Sequence, residues 1–485
     1  MKSKSNISIN YIFNLTYQVF AMIAPLITTP YISRVLGAEN VGVYSYTYAI
    51  ITYFVLFANL GTHTYAIREI SYVRDDIGLK SKIFYEVFFL RLTANMICIF
   101  TFVFLVINQF NTSYIPLFMI YIVYLFSHAF DISWFFQGME QFKKTVFRNS
   151  FVKIISVLCI FLFVKKPSDL STYIWCFAIP PLLGNISLWF FLPKYIQKVD
   201  FKSIKILRNF QIILQLFVPL IAIEIYTVVD RTMLGTMSSN RAELGFYEQS
   251  QKLIKLAFTF ITSLSTVIMP KIAYDFQNGK NEKSLNKLIC KIFNVVWFLC
   301  FPITIGLIGL TNNLVPWFFG NGYGKVTILL YIFSPVICLS GVSHIIYSGI
   351  LLPTKKQNRV TVIIMIGALV NVGLNILLIP RLLSVGASIA SVAAELIIFI
   401  LCLWSLKKYA NISNIIKLSI HYVFASIIMF GSIELVNFLN FSGWYKTITQ
   451  IIIGFFIYIL SLILMNDQFV KNYINKFLKT DKKRL

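Results

Sequence analysis

Long apolar stretches alternate with short polar ones along the whole chain of 485 residues. Each apolar stretch holds about 18 residues or more, enough for an α-helix to cross roughly 30 Å of hydrocarbon. The short alternating segments typical of a membrane β-barrel are missing from the sequence. The pattern therefore predicts an all-α membrane protein. We place its fourteen helices at 9–34, 41–62, 83–107, 114–136, 150–165, 171–192, 212–235, 253–270, 291–311, 327–350, 360–380, 385–406, 418–440 and 446–465.

The composition excludes a single soluble domain. Apolar residues make up 58% of the chain and charged residues only 13%, whereas soluble domains have about 25% charged residues. Such a chain lacks the polar surface that would keep a soluble domain in water. Composition and pattern therefore agree on a protein that spans the membrane many times.

The basic residues indicate the orientation. The chain has 43 Lys and Arg residues against 19 Asp and Glu, a net charge of +24. If the N-terminus is cytoplasmic, 32 of the 43 fall on that side of the membrane, as expected because short Lys- and Arg-rich loops stay in the cytoplasm. We therefore expect both termini inside, and the surplus would also attract anionic lipid headgroups. Nucleic-acid binding is the weaker interpretation of this charge.

Two segments resemble each other and indicate an internal repeat. Residues 25–44 and 219–247 both open with Pro-Leu-Ile and both close with Gly-x-Tyr. The closing glycines, Gly42 and Gly245, are 203 residues apart, which spans six predicted helices. An even number of helices makes the repeat parallel, as in transporters with two lobes that alternate access; chance similarity of two apolar stretches is the alternative. We predict two pseudo-symmetric six-helix lobes at 1–211 and 212–410, with two helices and a basic cytoplasmic tail at 411–485.

Groups that could hold a metal or perform catalysis are scattered. The seven cysteines and four histidines have no metal-ligand spacing. Gly320, Gly322 and Gly324 form a GxGxG, but no strand precedes it, so a tight turn is a better interpretation than a phosphate-binding loop. The sequence predicts no cofactor, no metal site and no catalytic residues.

Several segments carry a resemblance to a known family. In the first lobe they are RVLGAENVGVYSY (34–46), LGTHTYAIREISYVRDD (60–76) and DISWFFQGMEQFKKTVFRN (131–149), and in the second DRTMLG (230–235) and FFGNGY (318–323). They resemble Wzx, the bacterial flippases for O-antigen or capsule repeat units, which share the MOP superfamily with the lipid II flippase MurJ and the MATE exporters. The final third of the chain resembles the family mainly in hydropathy. The most specific positions are Trp134, Phe136, Gln137, Gly138 and Glu140.

The resemblance implies a cargo and a location. The cargo would be an undecaprenyl diphosphate carrying a short oligosaccharide, moved from the cytoplasmic to the periplasmic leaflet of the bacterial inner membrane. Membrane lipids, and a polymerase and chain-length proteins of the same pathway, would be its partners. A diphosphate requires a water-filled cleft with cations, because charge in hydrocarbon is costly.

Ionisable residues inside the predicted helices are the candidates for such a cleft. Arg34 and Arg231 occupy matching places in the two repeats, and guanidinium offers a forked donor to phosphate oxygens. Glu224 lies at mid-depth, where a carboxylate requires water, a partner or a proton. We predict diphosphate binding by Arg34, Arg231, Arg91 and Lys255, and coupling to an ion gradient by Glu224 and Asp230.

Structural alternatives remain open for each candidate. The arginines and Lys255 could reach the interface and anchor their helices, and Glu224 could pair with a buried cation. Glu395 has no charged neighbour in sequence and stays undecided. The Tyr and Trp residues near helix ends fit interface belts, and a sugar-stacking surface cannot be distinguished from these belts in the sequence.

Three rival functions also remain. A flippase for lipid II or another lipid-linked sugar would have the same fold. A MATE-type exporter would need an anionic cavity, whereas the candidates here are on balance cationic. A polysaccharide polymerase would need a sizeable outward loop, and the longest one predicted is about 17 residues at 236–252.

Overall fold

The computed structural model describes residues 2–109, 112–277, 282–438 and 442–471. These residues form helices joined by short turns, and no strand occurs among them. The predicted basic tail beyond residue 471 lies outside the described residues. The α-helices are α1 Lys2–Asn59, α2 Thr62–Tyr72, α3 Ile77–Gln109, α4 Ile115–Ala129, α5 Ser133–Gly138, α6 Phe142–Phe163, α7 Leu170–Trp189, α8 Phe210–Met237, α9 Arg241–Gln277, α10 Glu282–Phe319, α11 Gly324–His344, α12 Gln357–Leu382, α13 Ser384–Leu406, α14 Ile412–Val436 and α15 Gly443–Leu464.

The predicted all-α membrane fold is confirmed. Among the described residues, 11 helical stretches are long and apolar enough to cross a membrane. Two of the predicted helices, 9–34 and 41–62, fall on one such stretch, Met22–Tyr72. Two other predicted helices, 212–235 and 253–270, correspond to α8 and α9, which are not among these 11 stretches. The total of fourteen spans stays a prediction.

A glycine divides α1 into two helices. Gly37 has φ 75° inside the continuous run Lys2–Asn59, a conformation that glycine adopts without the steric penalty of a Cβ. The break falls between the predicted first and second helices. Leu60 and Gly61 also adopt positive φ values, and these two residues separate α1 from α2. The Leu-Gly pairs at the start of two of the family-like segments therefore mark backbone turns.

One predicted loop is wrong. The segment 236–252 was expected to be an outward loop, yet α9 begins at Arg241. Glu243, Glu248 and Gln249 made the segment look water-exposed, but all three are buried. Polar residues that are buried against protein cannot be distinguished from loop residues by hydropathy.

The predicted turn at the GxGxG is confirmed. Gly320 and Gly322 adopt φ values of 94° and 99° between the end of α10 and the start of α11. Glycine has no Cβ to clash in this left-handed region. The three glycines therefore reverse the chain between two helices.

The chain divides into two compact units, Met1–Gly245 and Phe246–Leu485. In the first unit α1 packs against α3, α4, α6 and α8, and α7 packs against α4 and α6. In the second unit α10 packs against α11, α14 and α15, and α13 packs against α11 and α12. The lobes predicted at 1–211 and 212–410 stay a prediction.

The most specific family-like segment contributes side chains to the core of the first unit. Trp134, Phe135 and Phe136 on the short helix α5 are completely buried. A Cβ on Gly138 would stand 2.8 Å from the side chain of Ile70 on α2, so only glycine permits this contact. Around these rings pack Tyr65, Ala66, Ile70, Phe84, Val87, Leu90, Ile132, Leu188, Leu192 and Ile213.

Candidate functional site

The three predicted charges of α8 lie close to a tyrosine of α1. Asp230 is buried, and Glu224 and Arg231 are half-buried. All three are within electrostatic range of the Tyr53 side chain. The Tyr53 hydroxyl is also 3.1 Å from Oγ1 of Thr232. The charged residues of α8 therefore lie on the helix that contacts Tyr53 of α1 through Thr232.

Arg34 and Lys255 are more exposed than the charged residues of α8. Arg34 is exposed and lies three residues before the Gly37 break of α1. Lys255 is exposed on α9 and belongs to the second unit. Arg34 and Arg231 both belong to the first unit, but Arg34 precedes the Gly37 break, whereas α8 is contacted by Tyr46 and Tyr53, which follow it. The roles predicted for Arg34, Arg231 and Lys255 stay proposals.

Arg91 connects three helices. Its side chain on α3 is buried, and Nη2 donates to Oδ1 of Asn59 at 2.8 Å and to the carbonyl oxygen of His128 at 3.0 Å. The adjacent turn of α3 adds Asn95, whose amide nitrogen donates to the carbonyl oxygen of Ala58 at 3.3 Å. These bonds tie α3 to α1 and α4. The geometry supports a structural role for Arg91 and offers a diphosphate little access to it.

A second polar cluster was not predicted from the sequence. Nη2 of Arg148 on α6 is 3.4 Å from Oδ1 of Asp131, and Nη1 donates to Oδ1 of Asn185 on α7 at 2.7 Å. The backbone N–H of Ser133 also donates to Asp131, at 2.9 Å. Asp131 lies within electrostatic range of Arg91 as well. Both Asp131 and Arg148 belong to the segment 131–149 that resembles Wzx, and this resemblance was the feature of the sequence that could have pointed to the cluster.

Two of the family-like segments meet in the structure. Nη1 of Arg74, just after α2, lies 2.8 Å from Oε2 of Glu140, just after α5. Glu140 adopts a left-handed φ of 57°. Close to the same turn, Nζ of Lys144 donates to the hydroxyl of Tyr195 at 2.7 Å. The charged residues of these segments therefore hold short helices together at one end of the first unit.

Aromatic rings form a continuous row inside the first unit. The ring centroids of Tyr173 and Tyr44 are 4.8 Å apart, those of Tyr44 and Tyr48 are 5.6 Å apart, and those of Tyr48 and Tyr124 are 6.3 Å apart. We call these four residues the tyrosine file. Phe177 packs beside it, 5.2 Å from Tyr48. The file joins α7, α1 and α4, three helices that lie far apart in sequence.

Arg241 is another residue that the sequence did not single out. It is the first residue of α9, and its Nε donates to the hydroxyl of Tyr114 at 2.8 Å. Its guanidinium carbon lies 4.6 Å from the ring centroid of Tyr46, within the range of a cation–π interaction. It also donates to the carbonyl oxygen of Gly235. Arg241 thereby fixes the start of α9 against α8 and α1.

In the second unit, the undecided Glu395 lies half-buried on α13. It is within electrostatic range of Tyr347 and Cys402. Tyr347 belongs to a π-helical stretch, Ile345–Leu351, that follows α11 directly. Such stretches are often found at functional sites. The geometry assigns no role to Glu395.

Comparison with known proteins identifies the family and the fold. The family described as "Polysaccharide biosynthesis protein" matches residues 8–274. A protein of Escherichia coli (strain K12) named "Putative O-antigen transporter" is 22% identical over 84% of this chain and 98% of its own length. A structure titled "Lipid II flippase MurJ, inward closed conformation" superimposes with a TM-score of 0.76 at 20% identity, covering 94% of this chain and 99% of that one.

A second solved structure shows the same architecture. It is titled as the inward-facing conformation of a multidrug resistance MATE family transporter of the MOP superfamily. It gives a TM-score of 0.66 at 13% identity over 83% of this chain and 96% of that chain. At these identities both structures establish the fold alone. Because the family match extends over more than half of the sequence, the chain belongs to the polysaccharide biosynthesis protein family and has the fold of MurJ and the MATE transporters.

Proposed function

We propose that this protein flips undecaprenyl-diphosphate-linked oligosaccharide repeat units from the cytoplasmic to the outer leaflet of the bacterial inner membrane. The observation that carries the proposal is the position of Glu224, Asp230 and Arg231. They are buried or half-buried near Tyr53 in a bundle of membrane-spanning helices. Charges at such a depth are costly to insert, and those that persist usually line a polar path.

Relatives support the choice of cargo. The Escherichia coli protein is named "Putative O-antigen transporter", and a Bacillus subtilis (strain 168) protein named "Lipid II flippase MurJ" is 25% identical over 39% of this chain and 35% of its own length. One name gives O-antigen as the cargo and the other gives lipid II. We infer a lipid-linked saccharide as the cargo here, with O-antigen or capsule as the product.

The diphosphate would contact arginine. Arg231 presents a planar fork that matches phosphate oxygens, and Arg34 offers a second one from α1. Lys255 would be a further cation for the diphosphate. Glu224 and Asp230 would bind and release a coupling ion as two lobes alternate access around the cleft. Both termini would be cytoplasmic.

A transporter is favoured over an enzyme on the same lipid. The relatives above are named as a transporter and a flippase. A polymerase would also need a sizeable outward loop, and the segment 236–252 is not such a loop because α9 begins at Arg241. Within the described ranges, no group of three or more His, Cys, Asp and Glu could hold a metal ion. We propose binding and release of the lipid, as the names of these relatives suggest.

A strain that lacks this gene tests the proposal in cells. We expect the undecaprenyl-diphosphate-linked oligosaccharide to accumulate and to stay on the cytoplasmic side, where an impermeant glycosidase added to spheroplasts cannot reach it. A plasmid copy should restore accessibility, and a copy encoding Arg231→Ala should not. Loss of the polymer together with full accessibility of the single repeat units would point to a polymerase instead.

A further inference from the structure

Tyr48 of the tyrosine file lies too deep in the bundle to belong to an interface belt. Tyr48 is eleven residues after the Gly37 break and eleven before the end of α1 at Asn59. At 1.5 Å per residue it is about 16 Å from either end of that helix. Belts of Tyr and Trp sit at the membrane surface instead. A structural or functional reason inside the bundle is therefore needed for Tyr48.

The file extends along part of the first unit. Tyr173 lies in the first turn of α7, whereas Tyr124 lies in the second half of α4. The file continues beyond Tyr124 to His128, whose ring centroid is 4.9 Å away in the last turn of α4. In the predicted topology Tyr173 lies near the outer end of helix 171–192, and Tyr124 lies near the middle of helix 114–136. The three steps of the file, 4.8, 5.6 and 6.3 Å between ring centroids, cover at most about 17 Å, so the file spans part of the roughly 30 Å of hydrocarbon.

Three of the four rings of the file are partly exposed. Tyr44 is buried, as is Tyr121, whose hydroxyl is 3.3 Å from Oγ1 of Thr47. In contrast, Tyr48, Tyr124 and Tyr173 each keep part of their surface exposed. The buried residues support the file from behind, and the partly exposed ones are accessible to a ligand.

Hydroxyl groups and a carboxylate accompany the rings. The side chains of Tyr48 and Tyr124 interact with each other, and Tyr124 is within electrostatic range of Glu224. A phenol hydroxyl both donates and accepts hydrogen bonds, and a carboxylate accepts them. Saccharides present hydroxyl groups of both kinds. They also present C–H bonds with a partial positive charge, which suit the negative face of an aromatic ring.

We propose that the tyrosine file binds the sugar rings of the cargo and forms a glycan subsite within the depth of the bilayer. This inference rests on the proposed function and adds a glycan subsite to it. The diphosphate binds at Arg231 and Arg34 instead, because the negative faces of aromatic rings do not attract an anion. Stacking on the rings tolerates different sugars, while hydrogen bonds to the tyrosine hydroxyl groups add discrimination between saccharides.

The test compares three probes on the full chain in nanodiscs. They are undecaprenyl diphosphate without sugar, the same lipid carrying the host's oligosaccharide, and tetraphenylphosphonium, a cation that would also favour rings beside a carboxylate. Tyr48→Ala and Tyr173→Leu should weaken binding of the sugar-bearing lipid by about 2- to 10-fold, the range of one lost aromatic contact. Binding of the bare lipid should not change, which also shows that the variants fold.

Two further variants sharpen the test. Tyr48→Phe keeps the ring and should retain most of the affinity but discriminate less between oligosaccharides. Phe100→Ala removes an exposed ring of α3 outside the file and should change nothing. The glycan subsite is overturned, with the proposed function intact, if the wild type binds both lipids equally and the tyrosine variants change the affinity for neither lipid. If wild type binds tetraphenylphosphonium and neither lipid, the proposed function itself fails.

Discussion

Gly42 and Gly245 each lie against the backbone of the other's helix. A Cβ on Gly42 would stand 1.8 Å from the carbonyl oxygen of Arg241, and a Cβ on Gly245 would stand 1.9 Å from the carbonyl oxygen of Ala38. Ala38 and Arg241 are separated by the same 203 residues as the two glycines. The contact is therefore reciprocal, and it joins equivalent positions of the repeat found in the sequence.

Alanine at either glycine should destabilise the protein. The added methyl group would meet backbone, which cannot move aside as a flexible side chain can, and overpacking of this kind typically costs about 1–3 kcal/mol. We expect Gly42→Ala and Gly245→Ala to lower the thermal unfolding midpoint in detergent. Gly431→Ala is the matched control, since nothing lies within 4 Å of its Cβ position. Equal midpoints for all three variants would show that the helices do not approach so closely.

The repeat itself could be found in the sequence, but the contact could not. The pattern Gly-x-Tyr aligned Gly42 with Gly245, and the length of apolar stretches located the helices. That the two glycines touch depends on how α1 and α9 pack. The start of α9 was assigned to a loop for a related reason, because its polar residues Glu243 and Glu248 are buried against protein.

Replacing Arg91 should affect stability. Lysine has a shorter side chain that does not bring its nitrogen to the position of Nη2, so Arg91→Lys should weaken the bonds to Asn59 and to the carbonyl of His128 and lose about 1.5–3 kcal/mol, the value of a hydrogen bond to a charged group. We expect a lower unfolding midpoint and less folded protein, with normal transport per folded molecule. Arg68→Lys on α2 is the control, because its ion pair with Glu69 is partly exposed. A normal midpoint with reduced transport would instead assign Arg91 to the diphosphate.

The depth of a charge could be predicted for Arg91, but its partners could not. The sequence placed it inside a helix, and the structure shows bonds to residues of α1 and α4 that lie 32 and 37 positions away. The Asp131–Arg148 pair and the tyrosine file were missed for the same reason. Their members lie on different helices, and apolar helices give few clues about which faces meet.

Loss of the guanidinium fork at the two repeat-related arginines should impair export. Lysine can replace an interfacial anchor but does not bind two phosphate oxygens in the same planar way. Arg34→Lys and Arg231→Lys should each reduce surface polysaccharide at normal protein levels, with the larger effect at the half-buried Arg231. The exposed Arg208→Lys should be silent. Full export by both test variants would favour the anchoring alternative.

Glu224 should matter for energy coupling. Glu224→Gln preserves the shape and much of the hydrogen bonding of the side chain but cannot exchange a proton. We expect this variant to fold and to bind cargo, yet to lose the response of flipping to an imposed pH gradient. Asp230→Asn should have a smaller effect. An unchanged gradient response in Glu224→Gln would make the carboxylate structural and place coupling elsewhere.

Flipping in reconstituted vesicles tests the central claim most directly. Vesicles would hold the purified full chain and an undecaprenyl-diphosphate-linked oligosaccharide in the inner leaflet, and a membrane-impermeant glycosidase outside would report its arrival. We predict that the oligosaccharide becomes accessible far faster than in protein-free vesicles, that Arg231→Ala slows this transfer, and that tetraphenylphosphonium is not transported. Transfer no faster than in protein-free vesicles, with tetraphenylphosphonium transported by the wild-type chain, would contradict the account and favour a drug exporter.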